Sequence, residues 1–347
     1  MSTKGFWLGK RVFVTGHTGF KGSWLCKILE TLGAKTVGYA LEPPAGPNLY
    51  NICKPNIDSI IGDIRDFDKL SAAYKAASPE IVIHMAAQPL VLQSYKEPKA
   101  TYETNVMGTV NILECIRLFG AVSALNVTTD KVYLNHERLE GYGEDEQLDG
   151  HDPYSNSKSC SELVTASYNR SYFKSQGVKT STARSGNVIG GGDFAENRLI
   201  PDCARAAAKN ETIIIRNPDS IRPYQHVLDT LFAYLLILEK QYNCPEVAGN
   251  YNIGPEPGGC VSSGRLADLF CEGWGGLKWG HLPIENNHES GLLTLNTTKI
   301  KNILGWAPFW DIRESVNAAV DWYKEYNYGS PNSVMSCQIE KFVRLGI

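Results

Sequence analysis

A tyrosine and a lysine four positions apart form the pattern with the clearest chemical meaning in this sequence. Tyr154 and Lys158 lie in the stretch DPYSNSK, where Asp152 can cap a helix and Pro153 suits its first position. Residues i and i+4 share one helix face, so an ammonium would stand beside the phenol. A phenol ordinarily titrates near pH ~10, and a neighbouring cation lowers that pKa. The pair can therefore act as a base that takes a proton from a substrate hydroxyl.

A glycine-rich loop near the N-terminus predicts a phosphate-binding turn. Gly16, Gly19 and Gly22 have the spacing G-x-x-G-x-x-G, directly after an apolar strand and before a helical pattern. Glycine lets the backbone approach a pyrophosphate, which then lies at the N-terminus of the helix. Such glycines also occur in ordinary loops, but their place between strand and helix favours dinucleotide binding. An isolated Tyr-x-x-x-Lys is usually a solvated helix face, and this upstream loop argues against that alternative.

Short apolar segments alternate with longer amphipathic ones through the first half of the chain. Strands are predicted at residues 11–15, 36–40, 59–62, 81–85, 124–128 and 180–184, and helices at about 23–32, 66–77, 98–119 and 154–176. Apolar strands separated by helices indicate a parallel sheet buried on both faces. The predicted fold class is α/β, a doubly wound parallel sheet, with ligands beyond the carboxyl ends of its strands.

The alternation of strands and helices is lost after residue 190, and Pro, Gly, Trp and Asn are frequent through 217–310. This change predicts a smaller, loop-rich domain interleaved with the sheet. We assign residues 1–189, plus roughly 218–250, to a dinucleotide-binding domain. Residues 190–217 and 251–347 are assigned to a substrate-binding domain.

Composition and charge argue against several classes of protein. The 34 basic and 37 acidic residues nearly balance, and a net charge of −3 gives no general attraction to nucleic acids or anionic membranes. The longest apolar run, residues 231–238, is too short to span a bilayer, and the N-terminus lacks a secretory pattern. Nine cysteines without a C-x-x-C pair predict reduced thiols, and the scattered histidines predict no metal site. We expect a cytoplasmic protein.

Several motifs, in the expected order, resemble the extended short-chain dehydrogenase/reductase family. They are residues 16–22 (GHTGFKG), 62–64 (GDI), 84–88 (HMAAQ), 104–109 (TNVMGT) and the Tyr-x-x-x-Lys pair. The resemblance implies a Rossmann fold and a nicotinamide cofactor. The residues that it assigns to the cofactor are Gly16, Thr18, Gly19, Phe20, Gly22, Asp63, Ile64, Ala86, Ala87, Gln88, Asn105, Tyr154 and Lys158. NAD is favoured over NADP, because a 2′-phosphate usually recruits an arginine and no Lys or Arg lies between Tyr39 and Lys54.

Thr129, Asp130 and Lys131 follow the fifth predicted strand and narrow the resemblance to the sugar-nucleotide 4,6-dehydratases. The family implies that Thr129 orients the C4 hydroxyl of the sugar and that Asp130 is the acid for water loss. Lys131 stands where dTDP-glucose dehydratases have glutamate. It is either a base, if neutral, or a cation that polarises the keto group or holds the leaving oxygen. A plain surface ion pair between Asp130 and Lys131 is the alternative without a catalytic meaning.

The resemblance covers about residues 8–325 and is greatest to members that act on a CDP-hexose, so it implies a nucleotide-sugar site between the domains. The residues assigned to the substrate are Gln88, Thr129, Asn187, Arg198, Arg216, Arg222 and His226. Arg222 would make a charge-assisted fork to the diphosphate, whereas His226 either binds substrate or packs in the core. Departures at residues 134–140 and 286–296 leave the base and the hexose open. The family also implies a homodimer through the helices near 98–119 and 154–176, whose apolar stripes could otherwise face only the sheet.

The predicted activity is NAD-dependent removal of water from a nucleotide sugar, with internal hydride transfer from C4 to C6. A 4-epimerase or 4-reductase would share Tyr154, Lys158 and Thr129 but would not need the Asp130–Lys131 pair. A non-catalytic, cofactor-binding regulator would be expected to have a broken catalytic set, whereas the tyrosine, the lysine and the threonine are all present.

Overall fold

A seven-stranded parallel sheet forms the centre of the computed structural model, which describes residues 3–282 and 292–345. The strands are β1 (Arg11–Thr15), β2 (Lys35–Ala40), β3 (Asp58–Ile61), β4 (Ile81–His84), β5 (Ser123–Val127), β6 (Lys179–Ser185), β7 (Asn187–Ile189), β8 (Ile213–Ile215), β9 (Ile221–His226), β10 (Asn250–Ile253), β11 (Cys260–Ser262) and β12 (Trp279–His281). The sheet order is β10-β6-β5-β4-β1-β2-β3, with every neighbouring pair parallel. This is the doubly wound fold, so the predicted fold class is confirmed.

Helices cover both faces of the sheet and build much of the smaller unit. They are α1 (Thr3–Trp7), α2 (Phe20–Thr31), α3 (Leu49–Cys53), α4 (Phe67–Ala77), α5 (Val91–Lys96), α6 (Pro98–Tyr102), α7 (Gly108–Phe119), α8 (Pro153–Tyr168), α9 (Lys174–Gln176), α10 (Leu199–Ala208), α11 (Val227–Asn243), α12 (Ser263–Trp274), α13 (Thr298–Leu304), α14 (Ile312–Tyr328) and α15 (Pro331–Leu345). Two π-helical turns, Glu103–Met107 and Asn169–Phe173, interrupt the helices predicted at 98–119 and 154–176. Such turns reorient the side chains that they carry.

Alternation along the strands divides the apolar residues between two cores. Val12 and Val14 of β1 pack with Trp24 of α2 in the larger core, whereas Phe13 packs with Ile112 of α7 on the opposite face. Successive strand residues point to opposite faces, so both faces of β1 are apolar and both are covered. The sheet order reverses between β1 and β4, and the crevice at the carboxyl ends of these strands is where such folds bind ligands.

Two small sheets complete the fold: the three-stranded β11-β9-β7, which combines strands of both predicted domains, and the two-stranded β12-β8. Residues of the smaller unit share the larger core with the central sheet. A Cβ on Gly191 would lie 2.0 Å from the Trp322 ring of α14, and the Tyr323 hydroxyl donates to the carbonyl oxygen of Asp193. The boundary predicted after residue 250 falls inside β10, because this strand pairs with β6 in the central sheet through Ile253.

Among the described residues, no helix combines the length and the apolar character needed to cross a membrane. The nine cysteines are free thiols. Within the predicted departure at 286–296, residues 286–291 lie outside the described ranges.

Candidate active site

The glycine-rich loop after β1 brings its backbone close to the strands beside it. Gly16 has a φ of +79°, and a Cβ there would lie 2.8 Å from the backbone nitrogen of Ala86. A Cβ on Gly22 would lie 2.1 Å from the carbonyl oxygen of Gly16, so a side chain would push α2 away from the loop. Gly19 precedes α2 without a side-chain cap, which leaves the first turn of α2 suited to an anion. The loop therefore fits a dinucleotide pyrophosphate.

Two other predicted loop residues fix the loop in place. The Thr18 hydroxyl donates to the carbonyl oxygen of Leu41 at 2.9 Å, which ties the loop to the end of β2. Phe20 packs against the larger core, and its ring would lie 3.3 Å from a Cβ on Gly190. Both residues hold the shape of the loop by contacts within the protein.

Lys21, between Phe20 and Gly22, is a site residue that sequence reasoning did not select. Its Nζ lies 3.4 Å from the Tyr234 hydroxyl. The pKa of Lys21 is lowered to about 8 by desolvation and by the charge of Arg198, and Asp130 partly opposes this lowering. The signal available in the sequence was a cation in the middle of a phosphate-binding loop.

The predicted adenine end lies beside an open cavity. The cavity has a volume of about 520 Å³ and is lined by Asp63, Arg65, Asp66, Glu103 and Met107. Arg65 holds the Asp63 carboxylate with hydrogen bonds of 2.6 to 3.1 Å, and this contact lowers the pKa of Asp63. Ile64 is buried, and its side chain fills the space that a Cβ on Gly108 would need. A carboxylate acceptor beside this cavity is compatible with an adenine amino group.

Asn105 connects the segment after β4 to helix α8. It lies in the π-helical turn; its Oδ1 accepts from the Gln88 backbone N–H at 2.8 Å, and its Nδ2 donates to the Gln88 carbonyl and the Ser157 hydroxyl. The Ala86 N–H donates to the Thr15 hydroxyl at 3.1 Å, so the half-buried segment that also contains Ala87 is held at both ends. Asn105 thus positions the predicted cofactor segment against the helix of the catalytic pair.

The side chain of Gln88 is used within its own loop. Its Nε2 donates to the Leu90 carbonyl and the Thr101 hydroxyl, and its Oε1 accepts from the Leu90 N–H at 2.6 Å. These contacts engage both ends of the amide. Its hydrogen bonds within the loop therefore argue against a role of the Gln88 side chain as a substrate ligand.

Tyr154 and Lys158 lie one turn apart near the start of α8, as the sequence predicts. Asp152 caps this helix by accepting from the Ser155 N–H at 3.0 Å. Lys158 is buried, and its pKa is lowered to about 7, mainly by desolvation and also by the charge of Lys21. Desolvation raises the pKa of Tyr154 to about 12, and a hydrogen bond with Thr129 opposes that rise. Thr129, Tyr154 and Lys158 are therefore brought together.

Asp130 is buried in a short 3₁₀ turn that begins after Thr129. Its Oδ1 accepts from the Thr129 hydroxyl at 2.9 Å and lies 3.3 Å from the Nζ of Lys131. Its Oδ2 is buried and has no hydrogen-bond partner among the described residues. The side chain of Asp130 is 1% exposed and that of Lys131 is 31% exposed, so the pair is not a plain surface ion pair. The unpartnered Oδ2 of Asp130 is therefore available for a hydrogen bond with a bound ligand.

The arginines predicted for the diphosphate lie on different elements around the cleft. Arg198 precedes α10, pairs with Asp193 at 2.8 Å, and is close enough to Tyr154 to lower the pKa of that phenol. Asn187 begins β7 directly after β6, and the buried Arg222 lies on β9, the strand that pairs with β7. Asn187 therefore lies at the carboxyl end of β6, Arg222 lies on the neighbouring β9, and Arg198 lies near Tyr154.

Arg216 and His226 lie apart from this group. The side chain of Arg216 donates to Oδ1 of Asn197 at 2.9 Å, and Asn197 is the residue next to Arg198. His226 is fully buried; its Nδ1 accepts from the Leu228 N–H at the start of α11, and its ring lies 4.6 Å from that of Trp310. Burial lowers the pKa of His226 to about 3. Of the two readings of His226, the structure favours packing.

Comparison with known proteins agrees with this architecture. The sequence profile described as "NAD dependent epimerase/dehydratase family" matches residues 12–254. The chain belongs to this family. The CDP-glucose 4,6-dehydratase of Salmonella typhimurium is 45% identical over 346 residues, which cover 97% of this chain and 96% of that protein. The CDP-paratose 2-epimerase of Salmonella typhi is 26% identical, covering 90% of this chain and 98% of that protein. The resemblance to sugar-nucleotide dehydratases is confirmed.

Solved structures of the family share the fold at lower identity. The dTDP-glucose 4,6-dehydratase of Bacillus anthracis in complex with NAD superposes with a TM-score of 0.76 at 23% identity, covering 90% of this chain and 96% of that one. The UDP-glucose 4-epimerase of Thermotoga maritima with UDP-glucose gives a TM-score of 0.79 at 24% identity, covering 91% and 99%. Dehydratases and epimerases of the family thus share one backbone, and their side chains must set the reaction.

Proposed function

We propose that this protein catalyses NAD-dependent 4,6-dehydration of a CDP-linked hexose, converting CDP-glucose to CDP-4-keto-6-deoxyglucose and water. The observation that carries the proposal is the unpartnered Oδ2 of the buried Asp130, one residue from Thr129 and close to the Tyr154–Lys158 pair. A 4-epimerase needs Thr129, Tyr154 and Lys158, but it has no step that requires a buried acid beside them.

The residues around the crevice fit a nicotinamide dinucleotide. The loop at Gly16, Gly19 and Gly22 would hold its pyrophosphate, and Asp63 with Ile64 would contact the adenine. The backbone from Ala86 to Gln88, fixed by Asn105, would support the nicotinamide end. When bound, NAD would accept hydride from C4 of the sugar and later return it to C6.

Tyr154 would begin the reaction by removing the proton of the C4 hydroxyl. Thr129 would orient that hydroxyl, since its own side chain meets the phenol of Tyr154. Desolvation raises the pKa of Tyr154. The protonated form of Lys158, one helical turn away, would oppose this rise and favour the phenolate. Proton removal by this pair is the part of the chemistry that the whole family shares.

Asp130 would supply the step that distinguishes dehydration. Oxidation at C4 makes the C5 proton acidic, and loss of the C6 hydroxyl as water then requires an acid. Asp130, when protonated, would donate that proton from Oδ2. Lys131 lies beside this carboxyl group and is partly exposed. If neutral it would take the C5 proton; as a cation it would polarise the C4 carbonyl or hold the leaving oxygen, and another base would take that proton.

The identity of the substrate rests on the arginines and on similarity. Arg198 and Arg222 with Asn187 would bind the diphosphate through charge-assisted hydrogen bonds. Arg216, which is hydrogen-bonded to Asn197, would lie near the nucleotide end of the substrate. The relative with 45% identity over nearly its whole length is a CDP-glucose 4,6-dehydratase, which supports cytosine as the base and glucose as the sugar.

Exposed apolar side chains on neighbouring helices support a homodimer. Met107, Leu118, Phe119, Leu163 and Tyr172 are each at least 40% exposed, and they lie on or beside α7 and α8. A second copy that paired these helices would remove this surface from water.

Nine free thiols support a reducing compartment such as the cytoplasm.

We further propose that the central sheet with its helices binds NAD and that the smaller unit binds the nucleotide sugar. β10 belongs with the sheet because it pairs with β6, so the cofactor unit would comprise residues 1–189 and about 218–253. The remainder would carry Arg198 and Arg216 to the cleft.

The deciding experiment is incubation of the purified protein with CDP-glucose and NAD, followed by mass spectrometry and absorbance at 340 nm. Loss of one water without net accumulation of NADH supports internal-redox dehydration. Unchanged mass with inversion at C4, seen by NMR, would establish an epimerase instead. No reaction with CDP-glucose but water loss from another nucleotide sugar would change the substrate and keep the reaction.

A further inference from the structure

A buried ion pair lies behind the candidate active site. The side chains of Glu162 and Arg184 are 2% and 1% exposed, and Arg184 donates from Nε and Nη2 to the two carboxylate oxygens, each at 3.0 Å. Burying two charges is costly, and an apolar pair of similar volume is often as stable. A contribution to stability is therefore not a sufficient reason for the presence of this ion pair.

The contacts of this pair bracket the Thr129–Asp130–Lys131 turn. On the N-terminal side, Thr128 donates its hydroxyl hydrogen to Oε1 of Glu162 at 2.5 Å. On the C-terminal side, Nη1 of Arg184 donates to the Tyr133 hydroxyl at 2.8 Å. The four residues between these anchors include those that would orient and protonate the sugar. Both ends of the catalytic turn are therefore fixed to the same ion pair.

Glu162 also shares a helix face with the catalytic pair. It lies one turn after Lys158 and two turns after Tyr154 on α8, so the three side chains project in one direction. Lys158 in turn donates to the Val127 carbonyl at 3.1 Å, next to Thr128. The carboxylate of Glu162 is thus a fixed negative charge on the same side of α8 as the buried ammonium.

We propose that the Glu162–Arg184 ion pair is a positioning element of the active site, which holds Thr129 and Asp130 in register with Tyr154 and keeps Lys158 in its charged form. This proposal rests on the proposed function for the roles of Thr129, Asp130, Tyr154 and Lys158. The pair itself does not touch the substrate in this scheme. It acts by fixing the turn and by its charge.

The electrostatic half follows from the charges that surround Lys158. Lys21 on α2 disfavours the ammonium and Glu162 favours it, whereas His84 on β4 is neutral because burial lowers its pKa to about 3. By their charges, Arg184 on β6 would disfavour the ammonium and a Tyr154 phenolate would favour it. Desolvation lowers the pKa of Lys158 most, and Glu162 raises it. Replacing Glu162 by neutral glutamine should therefore release the proton of Lys158 at lower pH.

This half can be tested without any turnover. The difference in unfolding free energy between a protein and its Lys158→Met variant depends on pH only through Lys158, so urea titrations from pH 5 to 9 give the pH at which folded Lys158 titrates. In the Glu162→Gln background we expect this midpoint to fall by about one pH unit. Thr182→Val is the matched control, because it removes the 2.7 Å hydrogen bond to Oε2 of Glu162 and keeps the charge. An unmoved midpoint in folded Glu162→Gln would overturn the electrostatic half.

The geometric half predicts a loss of rate without a change in titration. Thr128→Val cuts the link between Glu162 and the turn, and Arg184→Lys keeps the charge but loses the two-pronged contact. Each should slow reduction of bound cofactor by CDP-glucose by about 10- to 100-fold, because a small misplacement of reacting groups is costly. KM for CDP-glucose should stay within about threefold and the Lys158 midpoint should not move. Unchanged rates in both folded variants would overturn the geometric half, whether or not Glu162→Gln folds.

Failure of this proposal is distinguishable from failure of the proposed function. If the unaltered protein dehydrates CDP-glucose but neither the midpoint nor the rates respond, the ion pair is structural and the function stands. If the protein removes water from no nucleotide sugar while the midpoint shifts as expected, the charge of Glu162 affects the protonation of Lys158 and the assigned reaction is wrong.

Discussion

The Nζ of Lys158 lies 3.1 Å from the carbonyl oxygen of Val127, so the ammonium of α8 is fastened to the last residue of β5. This hydrogen bond fixes the lysine at the point where the chain leaves the strand for Thr128 and Thr129. The helix that carries Tyr154 and the strand end that carries the threonine are therefore joined before any ligand binds. Preorganisation of this kind reduces the rearrangement needed when a substrate hydroxyl arrives.

Removal of the Tyr154 hydroxyl should stop the first half-reaction. In Tyr154→Phe we expect reduction of bound NAD by CDP-glucose to slow by about 10²- to 10⁴-fold, the usual contribution of a positioned base. Single-turnover absorbance at 340 nm measures the step. NAD binding, followed by protein fluorescence, should change little and serves as the control. Reduction at the unaltered rate would contradict the assignment of Tyr154 as base.

Asp130→Asn should separate oxidation from elimination. The amide keeps the shape of the carboxyl group but cannot donate a carboxylic proton, so water loss should slow by about 100-fold or more. Reduction of bound cofactor should remain within about tenfold, and absorbance at 340 nm should accumulate. Rapid quenching with mass spectrometry would follow the loss of water. Equal slowing of both half-reactions would argue against Asp130 as the acid.

The buried ammonium of Lys158 should make stability depend on pH. Its folded pKa of about 7 lies below the ordinary value of 10.5, so the unfolded chain binds more protons between these limits and Lys158 disfavours folding most below pH 7. The free energy of unfolding of Lys158→Met minus that of the unaltered protein should therefore fall by about 1.4 kcal/mol per pH unit from pH 7 to 9. Urea unfolding across this range measures it. A difference independent of pH would mean that Lys158 titrates normally.

Arg198→Gln should weaken substrate binding. A charge-assisted hydrogen bond to the diphosphate contributes about 1.5–3 kcal/mol, so KM for CDP-glucose should rise by about 10- to 100-fold while NAD affinity is retained. Arg265→Gln is a suitable control, because Arg265 forms a surface ion pair with Glu272 at 3.5 Å. Equal effects of the two substitutions would remove Arg198 from the site.

A lysine at Leu163 should break the proposed dimer. Leu163 is 56% exposed on α8, and a charge there would be buried by a second copy. Sedimentation velocity of Leu163→Lys should show monomers at micromolar concentration. Leu139→Lys, at a loop position that is 81% exposed, should leave the assembly unchanged. A Leu163→Lys protein that still sediments as a dimer would place the interface elsewhere.

Features whose chemistry depends on local spacing could be predicted from the sequence. Gly16, Gly19 and Gly22 predict a phosphate loop because the conformation needed there is a property of the backbone. Tyr154 and Lys158 predict a shared face because a helix returns after about four residues. Alternating apolar strands and helices predicted six of the seven strands of the sheet. The seventh, β10, was not predicted, since its four residues follow a loop-rich stretch without a periodic signal.

Which polar side chains are available to a ligand, and which are hydrogen-bonded within the protein, depends on the tertiary structure. Gln88 is hydrogen-bonded within its own loop, and the Nδ1 of His226 caps α11 beside the ring of Trp310, which is distant in sequence. Asp130 keeps one oxygen unpartnered because the 3₁₀ turn buries it. The Glu162–Arg184 pair joins α8 to β6 across 22 residues, and a spacing of this length has no periodic signature. Such contacts arise from the packing of whole elements, which residue types and local spacing do not specify.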